Sequence, residues 1–247
     1  MKFKAALKYQ LWGMKKPLIV FYIIIYALTI FFMAQRLIWN DPDIRFTSSG
    51  LEVASIIFLF VCGLNSFKTA FHMSLVNGVS RRTMFKSFAA TVVPVAAGMA
   101  LIDSLNHLLL SSPGRYKSLF YQMYNTRYGE GVSAQVIAEG FLWMFAIYMF
   151  AMMAGFFITT LYYRMNKPVK LLVSIGVPVF MFMVLPYIDA TIFRGAVFRA
   201  IGYFFAKAGG YLDGYNPYIA VLSGVLAFVA FGALSFLAMR RATVKGA

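Results

Sequence analysis

Apolar and polar positions along the chain fall into long blocks rather than alternating residue by residue. Six apolar stretches are long enough to cross a bilayer as helices, which takes about 20 residues at roughly 1.5 Å each. They are Leu18–Ile38, Leu51–Ala70, Phe85–Leu110, Val136–Tyr162, Leu171–Ile188 and Tyr218–Met239. Pro178 and Pro186 interrupt the fifth stretch and Pro94 lies in the third. Each proline removes a backbone donor, so bends are predicted there, of a kind that neighbouring helices can accommodate.

Two further segments keep a helical period. Phe3, Leu7, Leu11 and Met14 recur on one face, flanked by Lys4, Lys8 and Lys15, before Pro17 opens the first span. This predicts an amphipathic helix over residues 1–17, lying on the inner membrane surface. Between spans five and six, Phe193, Val197, Ile201, Phe204 and Phe205 form an apolar stripe, with Arg199 and Lys207 facing away. A helix of that length reaches only about 20 Å, against a core of roughly 30 Å, so it is predicted to dip into the outer leaflet and return. Gly209-Gly210 and Asp213-Gly214 supply the turn. A sizeable loop, Ser111–Gln135, separates spans three and four and carries Arg115, Lys117, Arg127 and Glu130.

Composition supports a membrane solution. The 247 residues are 61% hydrophobic and 13% charged, with mean hydropathy +0.74; soluble domains run near 45–50% and about 25%. No polar block is large enough for a second domain, so the chain reads as one all-α membrane domain over residues 1–247. A net charge of +15 would point to nucleic acid in a soluble protein, but here the cations sort by loop. Lys2, Lys4, Lys8, Lys15, Lys16, Lys68, Arg81, Arg82, Lys86, Arg164, Lys167, Lys170, Arg240, Arg241 and Lys245 fall on one side, and all 8 acidic residues fall on or toward the other. Retention of positive loops then predicts both termini in the cytoplasm, explains the charge, and leaves no case for nucleic-acid binding. The first apolar run is a full span with no small-residue cleavage site after it, so it is expected to be retained.

Catalytic groups are scarce. His72 and His107 are predicted at opposite ends of their spans, no HExxH or GxSxG occurs, and Cys62 is the sole cysteine. Neither a metal site nor a catalytic constellation is expected. Glu52, Asp103 and Glu139 lie near the outer ends of spans, and His107 is spaced to pair with Asp103 at i+4. They are read either as a polar pathway or outer gate or, preferably, as partly hydrated interfacial groups that pair locally. Asn65 is read as interhelical glue. With no GxxxxGK[ST] loop, ATP chemistry requires a separate subunit.

The link between spans two and three reads Phe71-His72-Met73-Ser74-Leu75-Val76-Asn77-Gly78-Val79-Ser80-Arg81-Arg82-Thr83-Met84-Phe85. It predicts a short apolar surface helix, a break at Asn77-Gly78 and a cap by Ser80 on the next helix. This wording, NGxSRxxxF, and the arrangement of the whole chain resemble the transmembrane subunit of an ABC-2 type exporter. That family has a surface elbow before span one, a coupling helix between spans two and three, and re-entrant helices between spans five and six. The resemblance implies a permease of the bacterial cytoplasmic membrane, paired with a second permease subunit and driven by a cytoplasmic ATPase that carries the ATP and Mg. Phe71, Met73, Leu75, Val76, Asn77, Gly78, Val79, Ser80 and Arg81 would then form the ATPase-coupling segment. The substrate class it implies is an amphipathic or hydrophobic peptide, as in exporters of phenol-soluble modulins or bacteriocins. The loop Ser111–Gln135 departs from the pattern and is a candidate external gate. The rival readings are a stand-alone solute carrier, the substrate-binding membrane subunit of an importer, and an accessory or immunity protein.

Overall fold

A computed structural model describes residues 2–39, 50–114, 116–128 and 133–240. The elements in order are α1 (Lys2–Trp39), α2 (Leu51–Val76), α3 (Arg81–Gly114), α4 (Leu119–Tyr128), α5 (Ala134–Arg164), α6 (Lys167–Val179), a π turn (Phe180–Val184), α7 (Leu185–Thr191), α8 (Ala196–Ala208) and α9 (Pro217–Arg240). Six helical segments among the described residues are long and apolar enough to cross a membrane, which fits a multi-pass membrane protein.

The centre is α5, with α2, α3 and α9 packed on it. Its crossing with α2 is tight because both contact positions are glycine: a Cβ on Gly63 would meet the Met152 carbonyl oxygen at 2.0 Å, and one on Gly155 would meet that of Phe60 at 2.1 Å. Small residues let two backbones approach in this way where water provides no drive to associate. Thr159 Oγ1 donates to the Leu64 carbonyl at 2.6 Å across the same crossing. Phe67, Phe71, Phe88, Phe156 and Tyr163 fill the next layer as stacked and edge-to-face rings.

Three expectations change. The surface helix over residues 1–17 is not a separate element: α1 runs unbroken through Pro17. Proline in a helix forfeits its own bond to the residue four earlier, here Gly13, but the strand of contacts to α3 outweighs that loss. Gln10 Nε2 donates to Ser87 Oγ at 3.1 Å, Thr91 Oγ1 to Gln10 Oε1 at 3.3 Å, and Tyr26 OH to Asn106 Oδ1 at 2.9 Å. The first half of α1 therefore runs along α3 in line with the second, and among the described residues the helix is long and apolar enough to cross a membrane over Lys2–Phe31. Lys15 reaches the groove beside Pro94 and Val95, with its ammonium 4.4 Å from the Trp12 ring, as a long stem permits.

The second change concerns the link after α2. Its apolar residues belong to α2 itself, which continues to Val76, and no separate coupling helix follows. Third, Asn65 Nδ2 donates to its own helix at Val61, 3.0 Å away, and not to a neighbour: a carbonyl four residues back is always within reach.

Around the fifth span, α6, the π turn and α7 form one rod, and no residue of α6 or the π turn is buried. The predicted proline bends resolve as a wider turn, with Leu185 N–H bonding back to Phe180, which absorbs the donor missing at Pro186. Asp189 then caps α8, its two oxygens accepting the Val197 and Phe198 N–H groups at 2.8 and 3.1 Å. Asp189→Ala removes both acceptors from the first turn and is expected to cost about 1–2 kcal/mol, read as faster amide hydrogen exchange confined to 193–200. Uniform exchange across α7 and α8 in both proteins contradicts this role.

Candidate functional site

The ends of the bundle differ chemically. At one end lie Lys2, Arg81, Arg164 and Arg240: Lys2 Nζ donates to the Gly78 carbonyl at 2.8 Å, and Arg81 to that of Arg240 at 3.1 Å. Arg164 and Arg240 line one groove. The opposite end holds Glu52, Asp103 and Glu139.

These carboxylates are not partly hydrated, as the sequence suggested; Glu52 is 1% and Asp103 5% exposed. The reason is α4, which folds over this end of the bundle. Phe120 packs on the Trp143 ring at 5.9 Å and against Gly140, whose missing side chain leaves room for it. Tyr124 stacks on Tyr211 at 5.5 Å and donates to the Gly209 carbonyl at 2.7 Å. Glu139 ties the remaining edges together, accepting from the hydroxyls of Tyr128 and Tyr218 and from Gln135. Part of the loop Ser111–Gln135 is thus a packed cap.

Beneath the cap, five elements converge on two acids. Asp103 on α3 accepts from Tyr22 of α1 at 3.2 Å and from Tyr148 of α5, with the Ser55 hydroxyl of α2 beside them. Glu52 accepts the Leu119 N–H at 3.3 Å through Oε2, with the Tyr116 hydroxyl within bonding reach. Its other oxygen, Oε1, is buried without a hydrogen-bond partner. Burial, and then the adjacent Glu52, hold the Tyr116 phenol well above its ordinary value, so it remains a donor at physiological pH. His107 does not take the expected place beside Asp103, whose oxygens go to the tyrosines; its ring packs near Tyr116 and Tyr121 at 6.2 and 6.4 Å. Among the described residues no group of three or more His, Cys, Asp or Glu side chains is placed to hold a metal.

Sequence reasoning reached Glu52, Asp103, His107 and Glu139, and the structure gathers the first two. It missed Tyr22, Ser55, Tyr116 and Tyr148. A signal was present for the cap: Phe120, Tyr124 and Tyr128 recur at i, i+4 and i+8, one helical face.

The candidate coupling segment divides in two. Phe71 is buried, stacked on Phe67 at 5.2 Å with the Arg81 guanidinium over its ring, so it is part of the core and not of a docking surface. Met73 and Val76 are exposed, Val76 at 85%. Asn77 closes α2 by bonding to the Met73 carbonyl through both its N–H and its side chain. Gly78 takes φ +61°, a conformation L side chains adopt at a cost. Val79 N–H bonds to the Ser74 carbonyl at 2.7 Å, and Ser80 Oγ accepts the Thr83 N–H at 3.2 Å. Of Leu75 only its place in α2 is described. The result is a hydrogen-bonded helical hairpin tip beside a groove of about 320 Å³ lined by α1, the end of α2 and the turn after it. No family model matches the chain, and neither does any curated protein or solved structure.

Proposed function

We propose that the chain is the membrane-spanning subunit of an ATP-driven exporter of the ABC-2 type, and that a separate ATPase binds the tip formed by Met73, Val76, Asn77 and Gly78. The observation that carries this reading is the tip itself. A water-facing turn has no folding reason to present Val76 almost fully exposed beside Met73, whereas a partner's groove gives one. The turn is well braced: Lys2 and Arg81 tie it to α1 and α9, and Arg81 also touches the Phe71 ring in the core. A push on Asn77-Gly78 is therefore transmitted to three helices. ATP acts only by favouring one arrangement of the partners, since a ligand shifts an equilibrium through differential affinity alone.

In this reading the basic end faces the cytoplasm of a bacterium, and the exposed rod of α6 and α7 supplies the apolar face covered by a second permease subunit, identical or different. The cargo is an amphipathic or hydrophobic substrate such as a peptide. The chain binds no cofactor itself; ATP and Mg belong to the ATPase.

Purification of the chain from its native membrane tests the assignment. The ATPase is expected to copurify, and Val76→Asp is expected to reduce its retention at least tenfold, since a buried unpaired charge costs more than about 1.4 kcal/mol. A single monodisperse species of Val76→Asp in detergent serves as the folding control. Undiminished retention in Val76→Asp, or export without any ATPase, overturns the proposal.

A second reading draws on one observation, the buried acids under the cap. A stand-alone carrier needs ionisable groups inside the protein, and Glu52 with Asp103 supplies them. Substrate uptake coupled to a proton gradient in vesicles containing this chain alone would favour it.

A further inference from the structure

Glu52 and Asp103 lie close enough to act on one another electrostatically, yet their surroundings differ. Both oxygens of Asp103 accept phenolic hydrogen bonds, one from Tyr22 and one from Tyr148. Such donors stabilise a carboxylate in its charged form. Glu52 has donors on one oxygen only, and its Oε1 is fully enclosed without a partner. The titratable and charged groups packed around the pair are Tyr22 from α1, Asp103 and, behind Tyr116, His107 from α3, Tyr116 and the outward-facing Lys117 from the segment before α4, Tyr121 from α4 and Tyr148 from α5. Among the described residues no cation contacts either acid. Two neighbouring buried carboxylates without a counter-charge do not both ionise. A divalent ion in their place would need about six oxygens at short range, and two acids among phenols offer too few.

We propose that Glu52 is a proton-binding site, holding its proton on Oε1 while Asp103 carries the single charge of the pair, and that the α4 cap controls exchange of this proton with water. The proton comes from and returns to solvent, with no other bond made or broken. An enclosed neutral O–H without a partner costs less than an enclosed, half-solvated carboxylate, which selects Glu52 and not Asp103. Exchange requires Leu119 N–H and Tyr116 to move off Glu52, and both belong to the segment that Phe120 and Tyr124 anchor.

Infrared spectroscopy of the full chain in lipid vesicles distinguishes the two acids. At neutral pH the native protein is expected to show the band of a protonated carboxyl group. Glu52→Gln, which keeps the shape of the neutral acid, is expected to lose that band. Asp103→Asn is expected to keep it and to titrate at a lower pH, because the neighbouring charge is gone. Phe120→Ala is expected to speed its exchange in deuterated water at least tenfold. Absence of the band in the native chain, its survival in Glu52→Gln or its loss in Asp103→Asn overturns the assignment. Its loss on adding sodium at fixed pH would show a metal cation there instead. Exchange unchanged in Phe120→Ala overturns the role of the cap. Asp103→Asn decides the assignment by itself if Glu52→Gln fails to fold.

Discussion

Gly63→Ala and Gly155→Ala are each expected to prevent recovery of a folded, monodisperse protein, or to lower its unfolding midpoint well below that of the native chain. The added carbon would stand 2.0 or 2.1 Å from a carbonyl oxygen of the opposing helix. No side chain there can swing away; backbone must separate from backbone, and the whole length of the α2 and α5 contact opens with it. Overpacking costs about 1–3 kcal/mol where side chains can adjust, and here the cost is expected at or above that range. Separation would also break the Thr159 to Leu64 bond and part Phe67 from Phe156. Gly98→Ala is the control, since its Cβ enters open space and alanine is the better helix former by roughly 0.5–1 kcal/mol. Thermal unfolding of the three variants in one detergent decides the matter: equal midpoints for Gly63→Ala and Gly98→Ala would mean that the crossing is not a determinant of stability.

Neither glycine stood out in the sequence, because a close crossing is a property of two segments about 90 residues apart. What was legible was what a single segment dictates. The apolar runs gave six spans, since the bilayer imposes one length on each of them, and the stripe from Phe193 to Phe205 gave the helix α8. What failed needed knowledge of neighbours. Pro17 reads as a start signal when the helix is considered alone, yet Gln10 and Tyr26 find α3 partners on either side of it and hold the helix together. Met73 and Val76 look like a separate surface helix only if α2 is assumed to stop at the membrane boundary. The acids looked hydrated because each lies near a helix end; nothing local says that a 10-residue helix, α4, folds over that end. Asp103 and Tyr148 are 45 positions apart, so their pairing appears only once α3 and α5 are set side by side.

That pairing also governs the other variant of large effect. Asp103→Ala is expected to destabilise the bundle by about 1–3 kcal/mol, because it strands the enclosed hydroxyl of Tyr148 without its acceptor and leaves that of Tyr22 only the Met99 carbonyl at 3.3 Å. Removal of a buried charge recovers part of this, since an enclosed carboxylate is itself costly. The balance still falls against alanine, because Tyr148 is buried with Asp103 as its acceptor and the tie that Asp103 makes between α1 and α5 is lost as well. Asp103→Asn keeps an oxygen for one phenol and is expected to lose less than half as much. Tyr148→Phe removes one donor while leaving Asp103 bonded to Tyr22 and is expected to cost about 1 kcal/mol. The double variant Asp103→Ala with Tyr148→Phe separates the terms: with no stranded hydroxyl left on α5, it should be more stable than Asp103→Ala alone. If the double variant instead loses the sum of the two single effects, the carboxylate and the phenol act independently, and the buried cluster is not what fastens α3 to α5.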